Sequence, residues 1–165
     1  MASAKTVLIL MGSDSDLPVM REAKAVLSEL GVQSELRVLS AHRTPDQVRE
    51  VVRGAEGAGV GVFIAGAGGA AHLAGAVAAQ THLPVVGVPV ANGPLQGFDA
   101  LLSTVQMPPG IPVATVAIGG ARNAGILAAQ ILSIGDGQVR EALRAFRARM
   151  AAAVEEKDRK VRGDG

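Results

Sequence analysis

The sequence predicts an α/β domain: a three-layer sandwich with a central five-stranded parallel sheet, helices on both faces and a C-terminal tail helix. Two observations carry that prediction. Short apolar or alternating runs that read as strands recur at 6–11, 34–39, 60–65, 84–88 and 113–118. Between and after them, at 16–30, 45–58, 70–81, 95–104 and 121–134, apolar residues recur at the spacing of one helix face. Five β-α units in succession join parallel strands by right-handed crossovers, and the open sheet that results is of the flavodoxin-like type.

The elements follow in order from their residues. The run from Thr6 to Met11 is apolar after its threonine, and the run from Ser34 to Leu39 alternates polar and apolar side chains, the period of a strand. Thr44-Pro45-Asp46-Gln47 then reads as a capping box with proline at the first helical position. Val60 to Ala65 is apolar and runs into Gly66-Ala67-Gly68-Gly69. The helical stretches 70–80 and 121–134 are apolar nearly all round, so their outer faces need a cover, either a second subunit or the chain's own tail. That tail, 138–160, spaces Val139, Leu143, Phe146, Met150 and Val154 by threes and fours, an amphipathic helix. Its Arg140, Arg144, Arg147 and Arg149 read as a solvated face. The chain, 1–165, reads as a single domain with a core over about 6–134 and the tail helix beyond it.

Composition narrows the function. A formal net charge of +1 gives no field to attract nucleic acid or an anionic membrane, and no apolar run is long enough and free enough of glycine and proline to span a bilayer. Met1 to Lys5 leads into the first strand without the pattern of a secretory signal, so the expected location is the cytoplasm. With no cysteine there is no thiolate nucleophile, disulfide or cysteine-based metal site. The aromatics are Phe63, Phe98 and Phe146 alone, an unpromising set for stacking a flavin or an exposed base.

Three loops after strands carry unusual residues, and in open α/β sheets ligands bind outside the carboxyl ends of strands. Gly12-Ser13-Asp14-Ser15-Asp16 places hydroxyls beside free helix N–H groups, a cradle for phosphate, and Asp16 can accept from sugar hydroxyls; plain helix capping uses the same residues. Ser40-Ala41-His42-Arg43 puts an imidazole, able to take and give a proton near neutral pH, beside a cation that clamps phosphate; a solvated loop is the simpler alternative. Gly66 to His72 loosely matches a dinucleotide fingerprint, but the next strand ends Val88-Pro89-Val90-Ala91 with no acid for a ribose, which argues against that cofactor. Its glycines instead allow backbone N–H groups to approach a small planar ligand such as a carboxylate or carbon dioxide. No phosphate loop of the GxxxxGK[ST] type, HExxH or GxSxG is present, and the three histidines lack the spacing of metal ligands.

Taken together, GSDSD, SAHRTP, AGAGGAAHL, Gly87-Val88-Pro89-Val90 and the run from Val105 to Val113 resemble the microbial N5-carboxyaminoimidazole ribonucleotide mutases of purine biosynthesis. The resemblance covers about 7–132. It implies an isomerase that moves a carboxylate from an exocyclic nitrogen to carbon 4 of an aminoimidazole ribonucleotide, with no metal or organic cofactor. By the family pattern His42 is the general acid and base, Ser13 and Arg43 hold the phosphate with Ser40 in support, and Asp16 holds the ribose. Ser15 is a further binding candidate, and Gly68, Gly69, Ala70 and His72 line the pocket for the travelling carboxylate. The resemblance also implies a homo-octamer with sites at subunit contacts. Ala74 stands where the family usually has proline, Leu17 where tryptophan is frequent, and the segment 119–124 is shorter than usual. The alternatives are the family's other branch, which carboxylates aminoimidazole ribonucleotide directly with carbon dioxide, and a non-catalytic phosphosugar-binding module.

Overall fold

A computed structural model describes residues 5–163; the reading of the N-terminal residues 1–4 lies outside them. Five strands, β1 (Thr6–Met11), β2 (Ser34–Val38), β3 (Val60–Gly68), β4 (Val85–Val90) and β5 (Ala114–Thr115), form one sheet in the order β2-β1-β3-β4-β5. Every pairing is parallel. This is the flavodoxin-like order that the β-α alternation predicts. Six helices accompany it: α1 (Leu17–Glu29), α2 (Pro45–Ala55), α3 (Leu73–Ala78), α4 (Phe98–Val105), α5 (Ala121–Leu132) and α6 (Gly137–Arg162), with a 3-10 turn over Asp14–Asp16.

Alternation along the strands divides the core in two. Val7, Ile9 and Met11 of β1 face α1, α5 and the first turns of α6, together with Val62, Ile64, Val86 and Val88. Leu8 and Leu10 face the other way, with Phe63, Ala65 and Val85, against Val48 and Val52 of α2 and Leu73 and Val77 of α3. Both sheet faces are covered, so the central strands are apolar throughout.

Several elements depart from the sequence expectation. β3 continues three residues past Ala65, because β4 offers ladder partners as far as Gly68, opposite Val90. β5 shrinks to two residues, paired to Val86 and Gly87 at the sheet edge. α3 starts at Leu73 rather than 70, since Gly69 to His72 form a tight turn in which the Ala71 N–H donates to Gly69 O and the His72 N–H to Ala70 O. Ala74, the proline position of the family pattern, is buried in the first turn of that helix.

Of the two covers expected for the apolar helices, the chain's own tail serves α5. α5 is packed by this chain itself: Gly125 lies so close to α1 that an added Cβ would sit 2.5 Å from Val26 Cγ1 and 2.8 Å from the backbone oxygen of Ala23. Val139, Leu143 and Phe146 of α6 close the same cluster. Exposed large apolar side chains include Ile134 just past α5 and Val38 at the end of β2, but most lie at Leu95, Phe98, Leu102 and Val105 around α4, and at Met150, Val154 and Val161 beyond the packed part of α6. Nor is the arginine face of α6 simply solvated. Arg140 donates to the carbonyls of Ser133 and Ile134 at the end of α5, and Arg149 donates to Glu29 of α1 at 2.8 Å.

Candidate active site

Strand order reverses between β1 and β3, and there a cavity of about 350 Å³ opens at the carboxyl ends of the strands. Four successive strands contribute to it: Ser13 and Asp16 after β1, Ser40, His42 and Arg43 after β2, Ala70 and His72 after Gly68 at the end of β3, and Asn92 after β4. Eight of the ten residues singled out in the sequence thus share one cavity. Ser15 and Gly69 do not line it. Ser15 is exposed, its N–H donating to Ser13 Oγ at 3.3 Å, while Gly69 takes φ 61° in the turn before α3, a left-handed conformation that suits glycine.

The first loop is built by a true capping box. Ser13 Oγ accepts from the N–H of Ser15, and the Asp16 carboxylate accepts through Oδ2 from the N–H of Ser13 at 3.1 Å. Asp16 is only 2 % exposed, yet it lines the cavity. Its second oxygen, Oδ1, accepts from Asn92 Nδ2 at 2.9 Å. Asn92 was not singled out in the sequence, because nothing in Val90-Ala91-Asn92-Gly93 signals a partner 76 residues away.

The second loop holds itself. The Thr44 hydroxyl, expected to cap α2, instead donates to Ser40 O at 3.1 Å and accepts from the Ser40 N–H at 3.0 Å, while Pro45 occupies the first helical turn as expected. The capping box expected at 44–47 does not form; its threonine closes the loop over residues 40–44 instead. Inside that loop Ser40 Oγ accepts from the N–H of Arg43 at 3.2 Å and from its Nε at 3.3 Å. Arg43 Nη2 donates to Gly12 O at 2.7 Å, so one guanidinium ties the second loop to the first and stands fixed at the cavity.

The third loop owes its shape to small residues. A Cβ on Gly66 would meet Met20 Sδ at 2.3 Å, and one on Gly68 would meet Asn92 Nδ2 at 2.3 Å, so both positions require glycine for close packing. The Ala71 N–H donates to Ser103 Oγ of α4 at 3.1 Å, which anchors the turn from outside the cavity. His72 ends that turn and reaches His42, the two ring nitrogens lying 2.8 Å apart. Among the described residues no cluster of three or more histidine, aspartate or glutamate side chains could hold a metal ion.

Fold and cavity together define a doubly wound α/β protein that gathers a carboxylate, a guanidinium and an imidazole around one cavity at the carboxyl ends of its strands. The chain belongs to the AIR carboxylase family, whose model matches residues 6–153. It is 54 % identical over 153 residues to the N5-carboxyaminoimidazole ribonucleotide mutase of Thermotoga maritima, covering 93 % of this chain and 90 % of that protein. It is 57 % identical over 150 residues to the mutase of that name from Mycobacterium tuberculosis, covering 91 % and 86 % respectively. The crystal structure of Treponema denticola PurE superimposes with a TM-score of 0.85 at 28 % identity, covering 94 % of this chain and 98 % of that one.

Proposed function

We propose that this protein is an N5-carboxyaminoimidazole ribonucleotide mutase, an isomerase of purine biosynthesis that forms 4-carboxy-5-aminoimidazole ribonucleotide. The observation that carries the reading is the convergence of His42, Arg43, Asp16, Gly68 and Ala70 on one cavity, in a chain more than half identical to proteins of that name.

The chemistry asks for little more than these groups supply. As the carbon–nitrogen bond of the N-carboxylate breaks, the electron pair stays on nitrogen, which gains a proton, and carbon dioxide is released. Carbon 4 of the electron-rich ring then attacks that carbon dioxide, and the tetrahedral carbon loses its proton to restore aromaticity. One proton is given and one taken, so a single imidazole, His42, balances both steps. A narrow cavity walled by glycine and alanine keeps the two fragments together, an entropy trap rather than a strong electrophile. Arg43 and Ser13, with Ser40 in support, hold the phosphate, and Asp16 the ribose. That remote binding fixes the ring against the imidazole. His72, Gly68 and Ala70 bound the carboxylate end; Ser15 and Gly69 support the loops without lining the cavity.

The same reading makes the protein a cytoplasmic homo-octamer. Phe98, 66 % exposed, lies with Leu95, Leu102 and Val105 on one apolar stripe around α4, which supports burial against a second copy. Among the described residues no helix is long and apolar enough to cross a membrane.

The deciding experiment measures product formation by the purified protein from N5-carboxyaminoimidazole ribonucleotide, beside aminoimidazole ribonucleotide with bicarbonate at low concentration. Conversion of the first alone is expected. Efficient use of the second alone would make this a direct carboxylase, and turnover of neither would leave a binding module.

A further inference from the structure

We infer that Asn92 is a positioning residue that sets the preference for a ribose over a deoxyribose ligand, by holding the Asp16 carboxylate in the orientation that receives a vicinal diol. The inference rests on the reading of Asp16 as the ribose anchor and goes beyond it, because it assigns a role to a residue from a fourth loop.

The geometry is direct. An ionised carboxylate accepts about four hydrogen bonds and donates none. Two of those places are filled from within the protein, Oδ2 by the N–H of Ser13 and Oδ1 by the amide of Asn92. Only the amide nitrogen can donate to a carboxylate, so this contact also fixes which way the Asn92 side chain faces. Two acceptor places remain, one on each oxygen, and a vicinal diol brings two O–H donors. A carboxylate held at both oxygens cannot rotate to satisfy a single hydroxyl equally well, and that is where discrimination arises.

Asn92 is itself held in place. Gly68 packs against it so closely that any side chain there would collide with its Cβ, Cγ and Nδ2. Its loop turns back through left-handed residues at Gly93, Gln96 and Gly97, with φ of 76°, 51° and 90°. The side chain therefore spans from the end of β4 to the first turn after β1, with Gly68 of the strand between them as its floor.

Asn92→Ala and Asn92→Asp test the inference. The readouts are KM and kcat for N5-carboxyaminoimidazole ribonucleotide, and competitive inhibition by aminoimidazole ribonucleotide and its 2′-deoxy analogue. Losing a hydrogen bond to a charged group, Asn92→Ala should raise KM about tenfold with kcat changed less than about threefold. The ratio of ribo to deoxy inhibition should fall toward one. Asn92→Asp, which exchanges the donor for a second anion beside Asp16, should weaken the ribonucleotide more than alanine does. A merely structural role would lower the melting temperature and weaken both inhibitors alike, and that result overturns the inference. So does an unchanged inhibition ratio in an active variant. A wild-type protein that neither turns over nor binds either compound would instead overturn the functional reading, and this inference with it.

Discussion

His42 Nε2 lies 2.8 Å from His72 Nδ1, with the two rings edge to face at 85° and their centroids 4.9 Å apart. At that distance one nitrogen donates and the other accepts, so a single hydrogen lies between the two rings. Both side chains are exposed, so water also reaches them. His42→Asn should therefore cost about 10² to 10⁴ in kcat while ligand still binds, the usual loss when a general acid–base group is removed. His72→Asn should keep turnover within about tenfold, since solvent supplies the hydrogen-bond partner it loses. Comparable collapse of kcat in both variants would show that the proton route needs both rings.

Arg43 spends two of its donors on Ser40 Oγ and Gly12 O, which orients the planar guanidinium before any ligand arrives. Lysine carries the charge but not the fork. Arg43→Lys should raise KM for the ribonucleotide about tenfold to a hundredfold, the range for a hydrogen bond to a charged group, and leave inhibition by the dephosphorylated nucleoside unchanged. Equal weakening of nucleotide and nucleoside would remove Arg43 from the phosphate.

Gly125 leaves no room for a side chain between α5 and α1. Alanine is the better helix former by about 0.8–1 kcal/mol, but the new methyl would press on the Ala23 carbonyl, which is backbone and cannot swing away, and overpacking costs about 1–3 kcal/mol. The clash should win, and Gly125→Ala should lower the melting temperature by several degrees. A variant as stable as the parent would mean that the two helices separate freely.

Glu29 joins three helices at the end of α1, accepting from Arg149 of α6 at 2.8 Å and from Arg122 of α5 at 3.2 Å. Both guanidinium groups also lie over the Phe146 ring, at 5.8 Å and 5.7 Å. The Arg149 hydrogen bond, aided by Arg122, holds this carboxyl below its ordinary value of 4.5 against the opposing effect of burial. A depressed carboxylate stabilises the fold above its unfolded value, and the benefit fades as pH falls through the folded one. Glu29→Gln should thus melt below the parent at pH 7, with the gap closing under about pH 4. A gap independent of pH would assign the effect to packing instead.

Much of this was legible because the relevant signals are local. Strand and helix succession, the proline at the start of α2 and the serine–aspartate cap before α1 each depend on neighbours a few residues away. The three loops that hold the ten candidate site residues are local signals too, although their roles rest on the family resemblance, and eight of the ten meet in one cavity because loops at the same end of a parallel sheet must gather. The misses were relations between distant segments. Thr44 matched a capping pattern but bonds Ser40, and the sequence left open whether a second subunit or the tail covers α5, which α1 and α6 close over.

By itself the sequence determined the order of elements, the parallel sheet, the glycines that bring backbone close, and the residue types that carry the chemistry. Periodicity and backbone sterics act over one or two turns, so they survive in a linear reading. Only the tertiary structure decided that Asn92 meets Asp16, that His72 meets His42, and that the exposed apolar stripe belongs to α4. Those contacts join segments whose separation along the chain says nothing of their distance in space; packing of the sheet and its helices sets it.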